Sequence, residues 1–386
     1  MKWEKVKLGE VSRVSSSKRI FARQYVRKGV PFYRQKEIID KKNKNFIIDP
    51  LFISVETYNE IKKKFGVPVK GDLLITAVGV TLGIPYIVDD EIFYFKDGNL
   101  IWLSNFNENI NSKYIYYWIT SDIGQKMMWS RVIGSAQPAL TIDIIKQFEL
   151  SIPTYILQNK IVKILETYDD LIENNQKQIK LLEEAAQRLY KEWFVNLRFP
   201  GYENTPIIDG VPEGWSKGCV GDIAVFKRGK TITKTQIVEG NVPVVAGGIE
   251  PAYYHNKANT IAPVITVSAS GANAGFTKLY YNNVFASDCS FADAKITPCL
   301  YYIYAFLKDN KLSIDALQKG SAQPHVYAKD INAMGLIIPC KQLILDYCYC
   351  VSGIFSKIKI LFDQINKLTE ARDRVLSKLV NGEIEG

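Results

Sequence analysis

Histidine is almost absent: the 386-residue sequence holds two, His255 and His325. Neither has a triad partner or metal-ligand spacing around it, and there is no HExxH, cysteine cluster or EF-hand loop, so no metal or histidine-based catalytic site is expected. Cysteine is sparse as well. Six cysteines without a CxxC pair exclude a disulfide framework and read as reduced thiols of a cytosolic protein. No run approaches the roughly 20 apolar residues that span a bilayer. The opening Met1-Lys2-Trp3-Glu4-Lys5 lacks the apolar core of a signal peptide. No GxGxxG appears, and no Asn-Pro-Pro-aromatic or Asp-Pro-Pro-Tyr motif for adenine methylation. Gly229-Lys230-Thr231 looks like the end of a phosphate-binding loop. The first glycine of such a loop would fall at Ala224, and Val225-Phe226-Lys227-Arg228 is bulky and basic. The chain reads as non-catalytic, with no cofactor of its own.

What is present is a chain long enough for two or three domains, with 47% hydrophobic and 23% charged residues. Its net charge of +9 favours a polyanionic partner, nucleic acid first.

The chain is also internally duplicated. Gly134-Ser135-Ala136-Gln137-Pro138 recurs unchanged as Gly320-Ser321-Ala322-Gln323-Pro324, 186 residues later. The same offset pairs Ile152-Pro153 with Ile338-Pro339, and Glu184-Ala185 with Glu370-Ala371. Upstream, an offset of 212 pairs Trp3 with Trp215 and Val30-Pro31 with Val242-Pro243. Between them, Gly79 and Gly83 match Gly271 and Gly275 at 192. A colinear series of this period is too long for a solenoid and describes two tandem domains. The segments between anchors share almost nothing, as expected of one scaffold serving two ligands.

Each copy ends in a heptad pattern. The first runs Ile161, Leu165, Tyr168, Ile172, Asn175, Ile179, Leu182, Ala186, Leu189, Trp193. The second runs Tyr347, Val351, Ile354, Ile358, Leu361, Ile365, Leu368, Arg372, Val375, Leu379. Sustained 3.5-residue spacing predicts two long helices forming an antiparallel coiled coil with a pseudo-two-fold repeat. Asn175 either fixes register or is a solvated defect. The implied layout is a first domain over 1–155, a spacer helix over 156–197, a second domain over 198–341 and a C-terminal helix over 342–386. Both domains read as mixed α and β, so the fold class is α+β. Strand-like runs include Phe46–Ile48, Asp72–Thr76, Ile84–Val88 and Val264–Val267, with helices expected at Ser112–Thr120 and Leu300–Lys308.

Charge concentrates at matching places. From Arg13 to Lys36 there are eight basic residues and no acidic one. Lys18, Arg19, Arg23, Arg27, Tyr33, Arg34, Gln35 and Lys36 are the DNA-contact candidates there. Lys227, Arg228, Lys230 and Lys234 stand at the equivalent place in the second copy. A charge run is often only a solvated face, but its repetition favours phosphate contact. Arg131, Ser135, Gln137, Ser321 and Gln323 complete the candidates around the pentapeptides, which are either structural turns or DNA contacts.

The Trp3-x4-Leu8-Gly9-Glu10-Val11 opening, the Pro31-x-Tyr33-Arg34 segment, the pentapeptide with Phe148-x3-Ile152-Pro153, the long helix and their repetition together resemble the specificity subunit of type I restriction–modification systems. The resemblance covers essentially the whole chain. It implies two target recognition domains, each reading one half of a bipartite asymmetric site in double-stranded DNA. The helices would act as spacer and as docking surface for two adenine methyltransferase subunits, which restriction/translocase subunits join. S-adenosylmethionine, ATP and Mg2+ would then belong to those partners. The second domain departs from the pattern, carrying Val245-Ala246 where the first has Tyr33-Arg34, so Tyr253, Tyr254, His255, Asn256 and Lys257 become its base-contact candidates. The competing readings are the recognition subunit of a type IIB-like enzyme, an autonomous DNA-binding or architectural protein, and a coiled-coil scaffold.

Overall fold

The computed structural model describes residues 3–134, 138–320 and 323–383. It divides into two compact units, Met1–Glu173 with Asn366–Gly386, and Asn174–Ile365. Each unit therefore holds one globular domain and part of both long helices.

The first domain is closed by its own ends. Strand Glu4–Lys7 pairs antiparallel with Glu149–Ile152, bringing the opening residues beside the start of the long helix. Inside lies a four-stranded sheet in the order Arg13–Ser15, Leu100–Ser104, Leu73–Thr76, Pro85–Ile87. Its central strands read Leu-Leu-Ile-Thr and Leu-Ile-Trp-Leu-Ser and are buried on both faces, so they are almost continuously apolar. A second sheet contains Tyr25–Val26, Leu51–Ile53, Val30–Tyr33 and Tyr94–Phe95. The expected strand at Phe46–Ile48 does not form. Those residues lie in a loop where Phe46 and Ile48 are 87% exposed, because no neighbouring strand offers them a ladder.

The second domain repeats this plan. Ser216–Cys219 pairs with Gly335–Ile338. The four-stranded sheet runs Lys227–Arg228, Cys289–Asp293, Val264–Ser268, Thr277–Tyr280, and Tyr253–His255, Val242–Val245 and Phe285–Ala286 form the second sheet. Strand register fixes the equivalences. Ser15 pairs with Trp102 as Lys227 pairs with Phe291, and Phe32 with Tyr94 as Val244 pairs with Phe285. The helices Ser112–Thr120 and Leu300–Asp309 occupy corresponding places.

The long helices span Tyr155–Tyr190, continued by a wider turn at Lys191–Val195, and Lys341–Val380. They pair antiparallel within each unit. In the first, Ile161 and Leu165 share a core with Val375, Leu376 and Leu379. In the second, Ile179, Ala186 and Leu189 share one with Tyr347, Val351, Ile358 and Leu361. Every seam position from the heptad series is buried or half-buried. Asn175 is buried and its amide donates to the Gln364 side chain at 3.4 Å. The opening tryptophan of each domain packs near a helix end. Trp3 lies beside Gly382, and Trp215 against Phe194 and Phe199. Beyond the first helix, Leu197 and Gly201 take left-handed backbone angles around Phe199-Pro200.

Candidate nucleic-acid interface

In the first domain, the basic run alternates between inside and outside. Ile20, Val30 and Phe32 are buried and anchor the segment. Arg13, Lys18, Arg19, Arg23, Arg27, Lys28 and Lys36 therefore project into solvent. Arg19 is held by Asp97 at 2.7 Å. Lys18 sits over the exposed Phe65 ring and Arg23 over Phe21, at 5.3 and 5.5 Å. Arg23, Arg27, Lys28 and Lys36 have no ion pair among the described residues. An exposed cation without a protein counterion is the form of charge that phosphate oxygens can neutralise.

Three neighbours in the run make contacts within the domain. Tyr33 is buried, stacked on Phe93 at 5.0 Å with the Lys41 ammonium over its ring. Burial raises its hydroxyl above the usual range. Arg34 is clamped to Glu37, donating from its backbone N–H at 2.8 Å and from Nε at 3.1 Å. Burial alone would raise the Glu37 carboxyl, but the hydrogen bonds and charge from Arg34 hold it below its ordinary value. Gln35 donates to the Val78 carbonyl and to the Thr81 hydroxyl, both at 2.8 Å. These side chains support the fold. Arg34 in particular neutralises the buried Glu37 carboxylate, while its own side chain stays 43% exposed.

A larger basic groove of about 1140 Å3 lies elsewhere in the same unit, lined by Lys41, Lys42, Lys44, Lys70, Lys113 and Lys163. Most of its charge is spent internally. Lys41 meets Glu91, Lys44 meets Glu173, Lys70 meets Asp89 and Asp90, and Lys113 meets Glu166. Burial pushes the Lys42 ammonium down to about 8, helped by the Arg372 charge and opposed by Asp169. This groove has far less free positive charge than its lysine count suggests.

In the second domain, Lys227, Arg228, Lys230 and Lys234 are exposed, again without ion pairs among the described residues. Gly229 is explained by packing: a Cβ there would stand 2.2 Å from the Ser287 carbonyl oxygen. Tyr253, Tyr254, Asn256 and Lys257 are exposed, whereas His255 is buried. Its Nδ1 lies 3.1 Å from the Val238 nitrogen, and its ring meets Phe285 edge-on. His255 therefore fastens a loop and is withdrawn from the surface that its neighbours present.

Ser135, Gln137 and Ser321 lie outside the described residues. The pentapeptide glycines Gly134 and Gly320 both take left-handed angles, φ 85° and 95°, and Gln323 is exposed. Arg131 is exposed, donating to the Gln147 carbonyl and covering the Phe148 ring. Beside Gln323 the fold assembles a cleft of about 590 Å3 that also takes in Arg228, Ser270, Asp288, His325, Tyr327 and Lys329. Sequence reading missed Ser270, Asp288, Tyr327 and Lys329, and set His325 aside for want of a catalytic partner. For Ser270, Tyr327 and Lys329 the available signal was their position beside the repeated anchors; Asp288 lies away from them. Among the described residues no acidic, histidine or cysteine cluster is arranged to hold a metal, all six cysteines are free, and no helix is long and apolar enough to cross a membrane.

The family model for the type I restriction modification DNA specificity domain matches residues 1–184 and again 212–347. The chain is 27% identical over 306 residues to the type I restriction enzyme MjaIX specificity subunit of Methanocaldococcus jannaschii, spanning 72% of this chain and 70% of that one. It is 22% identical to the HindI specificity subunit of Haemophilus influenzae across 99% of both chains. A crystal structure of a type I restriction–modification S subunit from M. genitalium superposes with a TM-score of 0.58, covering 98% of this chain and 96% of that one at 17% identity. At that identity the superposition speaks for the fold.

Proposed function

The chain belongs to the family of type I restriction–modification DNA specificity subunits, and from that membership we propose that it reads a bipartite, asymmetric site in double-stranded DNA, one half with each domain. The observation that carries the reading is the duplicated frame with diverged surface residues: one scaffold kept twice, two ligands served. Labour is divided. The exposed, unpaired Arg23, Arg27, Lys28, Lys227 and Lys230 position the duplex through phosphates, and a few polar side chains in each domain set sequence. The paired helices hold the two half-sites at a fixed separation and dock two adenine methyltransferase subunits, to which restriction/translocase subunits add. S-adenosylmethionine, ATP and Mg2+ are bound by those partners, and this chain is non-catalytic and cytoplasmic.

Native mass measurement of the tagged chain from its own host tests this. Two copies of an adenine methyltransferase per chain are expected. A chain isolated alone, or only with itself, would contradict the docking role and leave an autonomous DNA-binding protein.

A further inference from the structure

The duplication supplies an internal control for finding the residues that differ where the frame does not. Around the two pentapeptides the backbone hydrogen bonds are the same. Ala77 N–H donates to the Asn99 carbonyl as Ala269 N–H donates to that of Asp288. Leu140 N–H donates to the Ala77 carbonyl as Val326 N–H donates to that of Ala269. Val78 bridges Ala139 as Ser270 bridges His325, and Ile133 bridges Ala139 as Lys319 bridges His325. Strand register makes Arg228 the counterpart of Ser16.

On this constant frame the side chains diverge completely. Ser16, Val78, Asn99, Ala139, Thr141 and Asp143 of the first domain become Arg228, Ser270, Asp288, His325, Tyr327 and Lys329 of the second. Gln137 and Gln323, in the repeated pentapeptide, stay the same. In the second domain the diverged residues line one cleft together with Gln323.

We propose that this cleft is where the second domain reads base edges of its half-site, with Arg228, Asp288, Gln323 and His325 as the specificity-determining side chains. The assignment rests on the reading of the chain as a DNA-recognition subunit. The groups converging there are those that discriminate bases in the major groove. A guanidinium donates in pairs to guanine, a carboxylate accepts from the cytosine amino group, and an amide pairs with adenine. Arg228 is exposed and has no ion pair among the described residues, so its donors are available. Asp288 is held in place by the Ser270 hydroxyl, which donates to its Oδ2. His325 is fixed by backbone hydrogen bonds in both directions with Lys319, at 2.8 and 2.9 Å, and its ring stacks on Tyr327 at 6.0 Å. Readers held by a rigid frame lose little freedom on binding. Lys329 lines the cleft, is exposed and suits a flanking phosphate. In the first domain the same places carry the apolar side chains Val78 and Ala139, and the Ser16 hydroxyl is turned back to the Leu100 carbonyl at 3.2 Å. The two domains thus present different codes from one frame.

The test is selection from a pool of randomised duplexes by the full chain with whatever subunits co-purify, comparing wild type with Asp288→Asn and Arg228→Ala. Either variant is expected to lower base discrimination roughly tenfold or more at one or two adjacent positions of one half-site, leaving the other half-site unchanged. Asp288→Asn is nearly isosteric and Arg228 supports no other side chain, so both variants fold. Unchanged preferences in both half-sites would overturn the assignment, as would an equal loss on every sequence, the mark of a phosphate contact. A wild-type chain that selects no sequence at all would overturn the underlying DNA-recognition reading.

Discussion

At one pair of equivalent positions the helix–domain junction of the first unit is built from charge and that of the second from aromatic rings. In the first, the Tyr117 hydroxyl donates to Asp169 at 2.6 Å and Arg372 donates to the same carboxylate at 2.7 Å. At the repeat offset Asp169 becomes Phe355 and Arg372 corresponds to Ala186. Phe355 is buried, stacked on Tyr301 at 4.3 Å and met edge-on by Tyr304. The Tyr347 hydroxyl donates to the Ala186 carbonyl at 3.1 Å. Two unlike solutions fit one backbone: an ion pair with a phenol donor, or buried rings packed on one another. The exposed surfaces follow the same rule. Heptad spacing, strand register and turn glycines are kept twice, and the side chains placed on them are free to differ.

The two junctions should differ in strength. Phe355→Ala opens a cavity in a packed core and is expected to cost about 3–5 kcal/mol in chemical denaturation. Arg372→Ala removes a partly exposed ion pair and leaves Asp169 its Tyr117 donor, so about 1 kcal/mol is expected. Equal losses would mean that the polar junction is as tightly built as the aromatic one. The smallest effect belongs to the charged surfaces. Neutralising Arg23 or Arg27 should weaken binding to all duplexes alike and reduce the slope of log affinity against log salt by about one for each phosphate no longer neutralised. A sequence-dependent weakening would move that residue from positioning to reading.

How much of this the sequence disclosed follows from the range of the interactions involved. The long helices were legible because a 3.5-residue period sustained over many turns is the mark of helices that pair along one seam, and even the polar Asn175 and Arg372 sit where the period puts them. The sheet strands Leu73–Thr76 and Val264–Ser268 announced themselves as apolar runs. Phe46–Ile48 has the same local character and forms no strand, because strand formation needs a partner that local sequence does not reveal. The internal contacts of Tyr33, Arg34 and His255 depend on Phe93, Glu37 and Val238, and only Glu37 is close enough in sequence to have been suspected. The cleft of the second domain gathers residues near positions 228, 270, 288 and 325, which meet only in the folded chain. The repeat already contained the clue: identical anchors flanking unlike neighbours.

One frame, used twice, is expected to read two different sequences. The most direct test is duplex selection by the wild-type chain in complex with its co-purifying subunits. Two specified blocks of unlike sequence, separated by positions with no preference, are the expected result. A single continuous block, or enrichment without any sequence preference, would contradict it.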